Sequence, residues 1–362
     1  MTSAERVAVV GTGLMGTSIA MAAARVGDAV RGFDVDAGVL SRAAERSGLV
    51  PTDGLQECVT GSTLVFVCTP IPVVPGLVAE VLRLAPEAVV TDVASVKSHV
   101  RLEVEGMAAV SDLPRYVGSH PMGGSERSGP EHASASVLDG VVWVVDETAS
   151  AEALERLEAW IARVGANAVR LPVERHDRLV AMVSHLPQVA STALMGLAAA
   201  EEAGEPEILL LAAGGFRDLT RLAASNPHLW SDILLANRDA IVRAIDLYVA
   251  RLTGLRDLVA SEAAEEVERA FAESKEARLS LAAKPQVKAG VAVLQVPVPD
   301  RPGVLAEVTA TMSEAGVNIE DLQIVHSPEG GRGTVHLTVA AGAAQDAERA
   351  LRERWFEPLR LA

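Results

Sequence analysis

The strongest constraint on the fold is a β-rich run near the N-terminus that passes through a glycine-rich turn into an apolar helix. Arg6–Val10 is followed by Gly11-Thr12-Gly13-Leu14-Met15-Gly16, and helical spacing continues to Arg25. The first glycine of such a turn allows a tight bend, the second lets the backbone approach a pyrophosphate, and the third lets the helix pack closely on the strand. The helix N-terminus then faces the phosphates. This pattern predicts a dinucleotide-binding site that includes Gly11, Gly13, Leu14, Met15 and Gly16.

A carboxylate at the end of the second predicted strand, residues 29–34, indicates which dinucleotide binds. Asp34 lies 18 residues after Gly16, where an acidic side chain accepts a hydrogen bond from the ribose 2′-hydroxyl and repels a 2′-phosphate. No arginine follows directly, so the sequence favours NAD over NADP. A solvated acid at a strand end is the alternative interpretation. Thr69 and Pro70, at the end of the third predicted strand, are further candidate cofactor contacts.

Strands and helices alternate through residues 1–171, which predicts a mostly parallel α/β sheet of the Rossmann type. Further strands are predicted at 64–69, 88–92, 116–119, 141–145 and 168–171, with helices at 15–25 and 151–164. Residues 172–283 lack strand signals and predict an all-α domain of at least four helices. After a linker at 284–290, residues 291–362 follow a β-α-β-β-α order, which predicts a small ferredoxin-like module.

Composition excludes several classes of function. The net charge of −16 argues against nucleic acid or an anionic membrane as the principal partner, so an anionic substrate must meet a local cluster of basic groups. Cys58 and Cys68 make neither a disulfide framework nor a metal quartet, which predicts a protein without a metal site in a reducing cytoplasm. The short stretch before Arg6 leaves no room for a signal peptide.

One uncharged run, residues 179–200, is long enough to span a bilayer. It contains His185, Pro187 and Gln188, which are costly in lipid. We expect a buried helix of a soluble bundle instead. Because such a helix needs more cover than one small bundle gives, the helical domain is expected to form a dimer interface.

Two segments at neighbouring strand ends carry candidate catalytic groups. Thr91-Asp92-Val93-Ala94-Ser95-Val96-Lys97 lies at the end of the fourth predicted strand, and Ser119-His120-Pro121-Met122-Gly123-Gly124 lies at the end of the fifth. Ligands bind at the carboxyl edge of such sheets, so Ser95 and His120 are expected to face one crevice. The flanking serine, proline and glycines predict that His120 lies in a loop, where it takes a proton when a hydride leaves. Ser95 could also cap a helix, and Lys97 is either a substrate contact or a solvated first-turn residue.

The helical domain adds a histidine and two arginines to the candidate site. His185 lies within the uncharged helix and is either a structural histidine or a substrate contact. Arg217 and Arg221 are four residues apart, which predicts one helical face. Their guanidinium groups suit bidentate recognition of a carboxylate. Surface pairing with Asp218 or another acid is the alternative, more so for Arg217 than for Arg221.

These motifs resemble those of the prephenate/arogenate dehydrogenase family, and the resemblance covers nearly the whole chain. The matching segments are residues 11–16, 92–97, 118–124, 184–187 and 215–221, with Pro227, Trp230 and Asn237. Residues 300–305 and 314–319 are similar to an ACT regulatory domain. The final strand of that module, after Arg354, is weak and interrupted by Pro358.

The resemblance implies an NAD-dependent oxidative decarboxylation of a cyclohexadienol that carries a ring carboxylate. The implied reaction converts prephenate to 4-hydroxyphenylpyruvate in tyrosine biosynthesis. His120 would accept the C4-hydroxyl proton, with Ser95 hydrogen-bonded to the same hydroxyl or to the imidazole. Arg221 would bind a substrate carboxylate, and His185 would contact the substrate side chain or gate the pocket. The resemblance also implies a tight homodimer through the helical domain.

The ACT-like module implies regulation by tyrosine or another aromatic amino acid. Asp300, Gly303 and Asn318 are the candidate effector contacts. A module that only supports dimerisation is the alternative.

Three other functions compete with this interpretation. Arogenate dehydrogenase performs the same chemistry on an amino acid rather than a keto acid, and the sequence leans to prephenate through His185. A 3-hydroxyacid dehydrogenase relies on a lysine in its helical domain, but no lysine occurs between Lys97 and Lys275. An NAD-gated amino-acid sensor would bind both ligands without turnover and would not need Ser95 and His120 together.

Overall fold

The structure, a computed structural model, describes residues 4–123, 128–202, 204–282, 291–299, 301–326 and 332–361. The chain divides into two compact units. One consists of Met1–Leu197 with Thr220–Tyr248, and the other of Ala198–Leu219 with Val249–Ala362. The first unit contains a sheet of eight strands, and the second contains a sheet of four.

The strands of the first unit form a mostly parallel sheet. They are β1 (Arg6–Val10), β2 (Ala29–Phe33), β3 (Val50–Pro51), β4 (Leu64–Val67), β5 (Val89–Asp92), β6 (Tyr116–Pro121), β7 (Val142–Asp146) and β8 (Asn167–Leu171). Their order is β3-β2-β1-β4-β5-β6-β7-β8. All neighbours are parallel except β6 and β7, which confirms the predicted Rossmann-type sheet. The strand order reverses between β1 and β4. In such a fold the ligand crevice lies at the carboxyl ends of the strands at this point.

The helices of the nucleotide-binding region cover both faces of this sheet. They are α1 (Leu14–Arg25), α2 (Ala37–Ser47), α3 (Leu55–Val59), α4 (Val74–Leu84), α5 (Ser98–Met107) and α6 (Ala151–Arg163). Side chains of α1 and α6 join one core cluster, and side chains of α4 and α5 join another. All four residues of β4 are buried, as a strand covered on both faces requires. The first cluster contains three aromatic side chains, Phe66, Trp143 and Trp160. The ring centroids of Phe66 and Trp160 are 4.5 Å apart.

The region after Pro172 is helical, as predicted. Its helices are α7 (Val173–Val180), α8 (Leu186–Glu201), α9 (Glu207–Leu210), α10 (Gly214–Thr220), α11 (Pro227–Ala236), α12 (Arg238–Ala260) and α13 (Ala264–Ala282). Between α7 and α8 the helix continues through one π-helical turn, Ala181–His185. Among the described residues from 172 to 282, no segment forms a strand.

The helical run Val173–Glu201 is long and apolar enough to cross a membrane by length and composition alone. The run is only partly buried by the rest of its own chain, which buries 33% of its most apolar stretch. Leu179, Val183 and Leu197 are exposed. The helix predicted to be buried is thus only partly buried within the single chain, and this chain was expected to supply too little cover for it. The run nevertheless carries buried polar groups, including Gln188 and Ser191.

The C-terminal module has the predicted ferredoxin-like order. It contains β9 (Val291–Pro299), α14 (Val304–Glu314), β10 (Ile319–His326), β11 (Arg332–Ala340), α15 (Ala344–Glu353) and β12 (Leu359–Leu361). The sheet order is β10-β11-β9-β12, and all pairs are antiparallel. The weak final strand forms only beyond Pro358, because a proline cannot donate to a strand ladder. Its three residues pair with β9.

Candidate active site

The turn after β1 has the geometry of a dinucleotide cradle. Gly11 has φ +88°, and a Cβ there would lie 2.7 Å from the carbonyl oxygen of Cys68. A Cβ on Gly16 would lie 1.9 Å from the carbonyl oxygen of Gly11, so only glycine lets α1 approach the turn. A Cβ on Gly13 would meet nothing within 4 Å. Gly13 is also the residue before α1 and carries no side-chain cap, which leaves backbone N–H groups open to phosphate.

Two polar groups beside this turn fit a bound dinucleotide. Asp34 follows β2, and its Oδ2 accepts hydrogen bonds from the backbone N–H of Thr12 (2.7 Å) and from the Thr12 hydroxyl (3.2 Å). These bonds orient the carboxylate at the strand end where a ribose hydroxyl binds in such folds. Thr69, after β4, has a buried hydroxyl with no partner among the described residues. A buried hydroxyl without a partner is costly unless a ligand or water satisfies it. Leu14 and Met15 begin α1 beside the turn, and Pro70 is exposed.

His120 lies on strand β6 rather than in a loop, so the predicted loop is wrong at this residue. The strand runs to Pro121 because β7 returns antiparallel to it and pairs His120 with Val144. Proline is tolerated there because it closes the strand. The neighbouring parallel strand β5 pairs Asp92 with Gly118. His120, near the end of β6, and Ser95, after the end of β5, therefore lie at the ends of adjacent strands.

A hydrogen-bonded chain that the sequence did not reveal connects His120 to a carboxylate. The Nδ1 atom of His120 is 2.9 Å from Nε2 of His176, and Nδ1 of His176 is 2.9 Å from Oδ1 of Asp177. The two imidazoles meet edge to face, with ring centroids 5.1 Å apart. His176 and Asp177 are almost fully buried, at 1% and 4% exposure. The adjacent histidine and aspartate at the start of an amphipathic helix were the signal available in the sequence.

Lys97 is not available to a substrate, which corrects its prediction as a substrate contact. Its side chain is 2% exposed, and its Nζ atom donates to the Asp92 carboxylate and to the Ser119 carbonyl at 2.7 Å. Asp92 also accepts a hydrogen bond from the Tyr116 hydroxyl at 2.7 Å. A buried charge needs such partners to offset the loss of water. Lys97 therefore fixes the backbone of β6 one residue before His120.

Ser95 does not cap the helix that follows it. Helix α5 begins only at Ser98, and the Asp177 carboxylate accepts hydrogen bonds from the N–H groups of Lys97 (2.9 Å) and Ser98 (2.8 Å). Within the described part of the chain, the Ser95 hydroxyl makes no hydrogen bond, and the residue is half-buried. The hydroxyl is thus open to a ligand at the edge of the sheet.

His185 lies at the end of the π-helical turn, and that bulge is typical of functional positions. Its Nδ1 is 3.2 Å from the Asn237 side-chain nitrogen, which also donates to the Asp177 carbonyl at 2.9 Å. Its ring meets Trp230 edge to face, with centroids 5.9 Å apart. Because an amide nitrogen only donates, Nδ1 of His185 accepts and its Nε2 carries the hydrogen. Asn237 therefore joins His185 to the chain of His176 and Asp177.

Burial keeps both candidate histidines uncharged at neutral pH. Burial lowers the pKa of His120 well below its ordinary value, and the neighbouring His176 and Lys97 lower it further. Burial likewise lowers the pKa of His185 to about 4. A neutral His120 can accept a proton, as a general base must.

The two arginines do not lie in one α-helix, which corrects the prediction that Arg217 and Arg221 belong to one helical segment. Helix α10 ends at Thr220, and Arg221 opens a 3₁₀ turn that ends at Ala224. This turn is docked on α8: the Gln188 side chain donates to the Leu222 carbonyl at 2.8 Å, and the Ala223 N–H donates to Ser191 at 3.1 Å. Arg221 is exposed, and no carboxylate among the described residues pairs with it.

Arg217 belongs to the second compact unit, whereas His120, His185 and Arg221 belong to the first. The candidate effector residues also lie in the second unit. Gly303 has φ +91° and precedes α14, and the Asn318 side chain donates to Glu320 at 2.6 Å. Asp300 lies outside the described residues.

A Rossmann-type sheet with a dinucleotide turn, and a neutral histidine at the neighbouring strand ends, define a nicotinamide-dependent dehydrogenase. Three family models match the chain: "Prephenate dehydrogenase, nucleotide-binding domain" over residues 19–170, "Prephenate dehydrogenase, dimerization domain" over 172–273, and "ACT domain" over 292–354. The chain belongs to the prephenate dehydrogenase family, and NAD is its cofactor.

Known proteins agree with this assignment. Cyclohexadienyl dehydrogenase of Zymomonas mobilis is 33% identical over 78% of this chain and 97% of its own length. The structure of prephenate dehydrogenase from A. aeolicus with hydroxyphenyl propionate and NAD⁺ has a TM-score of 0.72 at 27% identity, and the match covers 77% of this chain and 99% of that one. The Synechocystis arogenate dehydrogenase structure has a TM-score of 0.65 at 27% identity over 75% and 98%.

Proposed function

We propose that this chain is an NAD-dependent prephenate dehydrogenase that converts prephenate to 4-hydroxyphenylpyruvate and CO₂ in tyrosine biosynthesis. The observation that carries the proposal is a neutral His120 beside the carboxyl ends of β5 and β6, backed by His176 and Asp177. The A. aeolicus structure holds a hydroxyphenyl acid, which resembles the proposed product, together with NAD⁺, the oxidised cofactor that the reaction consumes.

Each proposed residue acts on a different part of the substrate. The nicotinamide of bound NAD supplies the hydride acceptor. His120 takes the proton of the C4-hydroxyl as that carbon becomes a carbonyl, and Ser95 donates or accepts a hydrogen bond at the same oxygen. Loss of the ring carboxylate as CO₂ makes the ring aromatic, and its oxygen regains a proton as a phenol. The overall reaction neither consumes nor releases a proton at these groups.

Substrate binding is proposed for Arg221 and His185. Arg221 is an exposed guanidinium without a described carboxylate partner, so it is free to bind a substrate carboxylate bidentately. The Nε2–H of His185 is free to donate a hydrogen bond to a substrate carbonyl or carboxylate. For Arg217, the sequence prediction of a carboxylate contact remains a proposal.

The deciding experiment measures NADH formation by the purified full-length chain with prephenate or arogenate, each with NAD or NADP. We expect the largest kcat/KM with prephenate and NAD. A larger value with arogenate would assign the second candidate, which the Synechocystis neighbour favours. Binding of NAD without turnover of either acid would contradict both dehydrogenase assignments and would support the NAD-gated amino-acid sensor.

Assembly and regulation are further parts of the proposal. The partly exposed run Val173–Glu201 lies in the region that matches a dimerization domain, so we expect a homodimer in the cytoplasm. Tyrosine is the expected effector of the ACT domain, with contacts at Asp300, Gly303 and Asn318. Asn318→Ala should weaken tyrosine inhibition while leaving kcat unchanged. Equal inhibition of the variant would instead indicate that tyrosine binds at the active site, as an analogue of the 4-hydroxyphenylpyruvate product.

A further inference from the structure

We propose that His176 and Asp177 are positioning residues that hold His120 in the tautomer whose Nε2 accepts the substrate proton. The same pair then receives the positive charge that the transferred proton brings. This inference rests on the proposed dehydrogenase function, because it assigns a role to each nitrogen of the catalytic base.

The chain of hydrogen bonds begins at the N-terminus of α5. Oδ1 of Asp177 accepts from the Lys97 N–H at 2.9 Å, and Oδ2 accepts from the Ser98 N–H at 2.8 Å. Burial opposes the charge of this carboxylate. Hydrogen bonds from His176 and from the two backbone N–H groups nevertheless lower the pKa of Asp177 below its ordinary value. A helix N-terminus further stabilises a negative charge. Asp177 is therefore an ionised carboxylate that can only accept hydrogen bonds.

The direction of every other bond follows from that carboxylate. Nδ1 of His176 must carry a hydrogen, because Asp177 only accepts. In the neutral ring, Nε2 of His176 then has a free lone pair and accepts from Nδ1 of His120. The hydrogen of neutral His120 is thus on Nδ1, and its Nε2 is the bare nitrogen. A general base needs that arrangement at the atom that faces the substrate hydroxyl.

The same chain offers a path for the proton. When Nε2 of His120 takes the hydroxyl proton, the hydrogen on its Nδ1 can move to Nε2 of His176. His120 is then neutral with its hydrogen on Nε2, and a cationic His176 is paired with Asp177. This transfer keeps positive charge away from His120, beside which the Lys97 ammonium lies buried. The reverse transfer returns the proton to the phenol oxygen.

Nuclear magnetic resonance of full-length protein labelled with ¹⁵N-histidine reads the tautomer directly, and a His120→Asn spectrum identifies the His120 signals. At neutral pH we expect a protonated Nδ1 and a bare Nε2 on His120. A protonated Nε2 in the free enzyme would overturn the proposal. The spectrum needs no turnover, so it separates this inference from the choice of substrate.

Asp177→Asn tests the consequence for catalysis. The Oδ1 atom of Asp177 accepts from the Lys97 N–H and from Nδ1 of His176, and Oδ2 accepts from the Ser98 N–H, so the single oxygen of an amide cannot keep all three bonds. In either orientation the amide also lacks the negative charge that pairs with a cationic His176. We expect kcat to fall by about 10²–10⁴-fold, the range of general base catalysis and of the same change in the serine-protease triad. KM for NAD should stay unchanged.

Asp146→Asn is the matched control, because Asp146 is an equally buried carboxylate that binds Arg101 of the same helix α5. We expect a lower melting temperature with wild-type kcat. If Asp177→Asn keeps both the wild-type tautomer and the wild-type kcat, the positioning role is excluded. If KM for NAD rises together with the fall in kcat, the residue acts only through the fold, and the proposal is again overturned.

Discussion

A buried ion pair of the nucleotide-binding region and a surface ion pair of the C-terminal module differ in burial and in what they hold in place. Lys97 and Asp92 pair at 2% and 0% side-chain exposure, whereas Arg349 and Asp346 pair at 68% and 55%. A buried pair must be satisfied by further hydrogen bonds, so it fixes the atoms around it. Here the fixed atoms are the backbone of β6 beside His120. The exposed pair of Arg349 and Asp346 joins two residues of one helix, α15.

The largest effect is expected from breaking the buried pair. Lys97→Met should lower the free energy of unfolding by about 3–5 kcal/mol, because the Asp92 carboxylate remains buried without its cation. Urea denaturation monitored by circular dichroism measures this loss. If the free energy of unfolding fell only as much as on loss of a surface pair, the buried pair of Lys97 and Asp92 would not stabilise the fold more than a surface pair does.

A second loss of stability should appear when acid charges His185. Unfolded His185 titrates near its ordinary pKa of 6.5, whereas the native pKa is about 4. Between these values the unfolded chain binds more protons, so stability falls as the pH drops from 6.5 towards 4, by about 3 kcal/mol for this residue. His185→Gln should remove that part of the pH dependence, as measured by denaturation at several pH values. If the stability of the variant and of wild type depended on pH in the same way, a group other than His185 would cause the loss of stability in acid.

Asp34 is only half-buried, and its substitution should act on cofactor choice rather than on stability. Asp34→Ser should raise KM for NAD about 10- to 100-fold, because a hydrogen bond to a charged group contributes about 1.5–3 kcal/mol. The loss of the negative charge should also improve the use of NADP. Initial rates with both cofactors measure this ratio, and an unchanged ratio would refute the ribose assignment.

The smallest effect is expected at the surface. Arg349→Ala removes an exposed pair, and pairs of this kind contribute about 0–1 kcal/mol to the free energy of unfolding. The same denaturation experiment serves as the control for Lys97→Met. A loss as large as that of the buried pair would remove the distinction between the two regions.

The parts of the site that the sequence predicted are those built by short-range patterns. The turn from Gly11 to Gly16 follows one strand and begins one helix, so its glycine spacing is read locally. The strand ends that carry Ser95 and His120 follow from the alternation of strands and helices, because parallel strands present their carboxyl ends at one edge.

The parts that the sequence did not predict depend on partners far along the chain. Asp177 caps a helix that begins 79 residues earlier, and neither segment alone indicates the contact. Lys97 is buried because Asp92 and the Ser119 carbonyl satisfy it, although a lone lysine in a first turn is typical of a solvated surface. His120 became a strand residue only because β7 pairs with it.

The role of His120 as the base is tested most directly by comparing wild type with His120→Asn in the oxidation of prephenate by NAD. We expect wild type to form NADH and the variant to lose about 10²–10⁴-fold in kcat, while NAD binds equally well to both when titrated by fluorescence. A variant with wild-type kcat, or a wild-type protein that binds NAD but oxidises neither prephenate nor arogenate, would contradict that role.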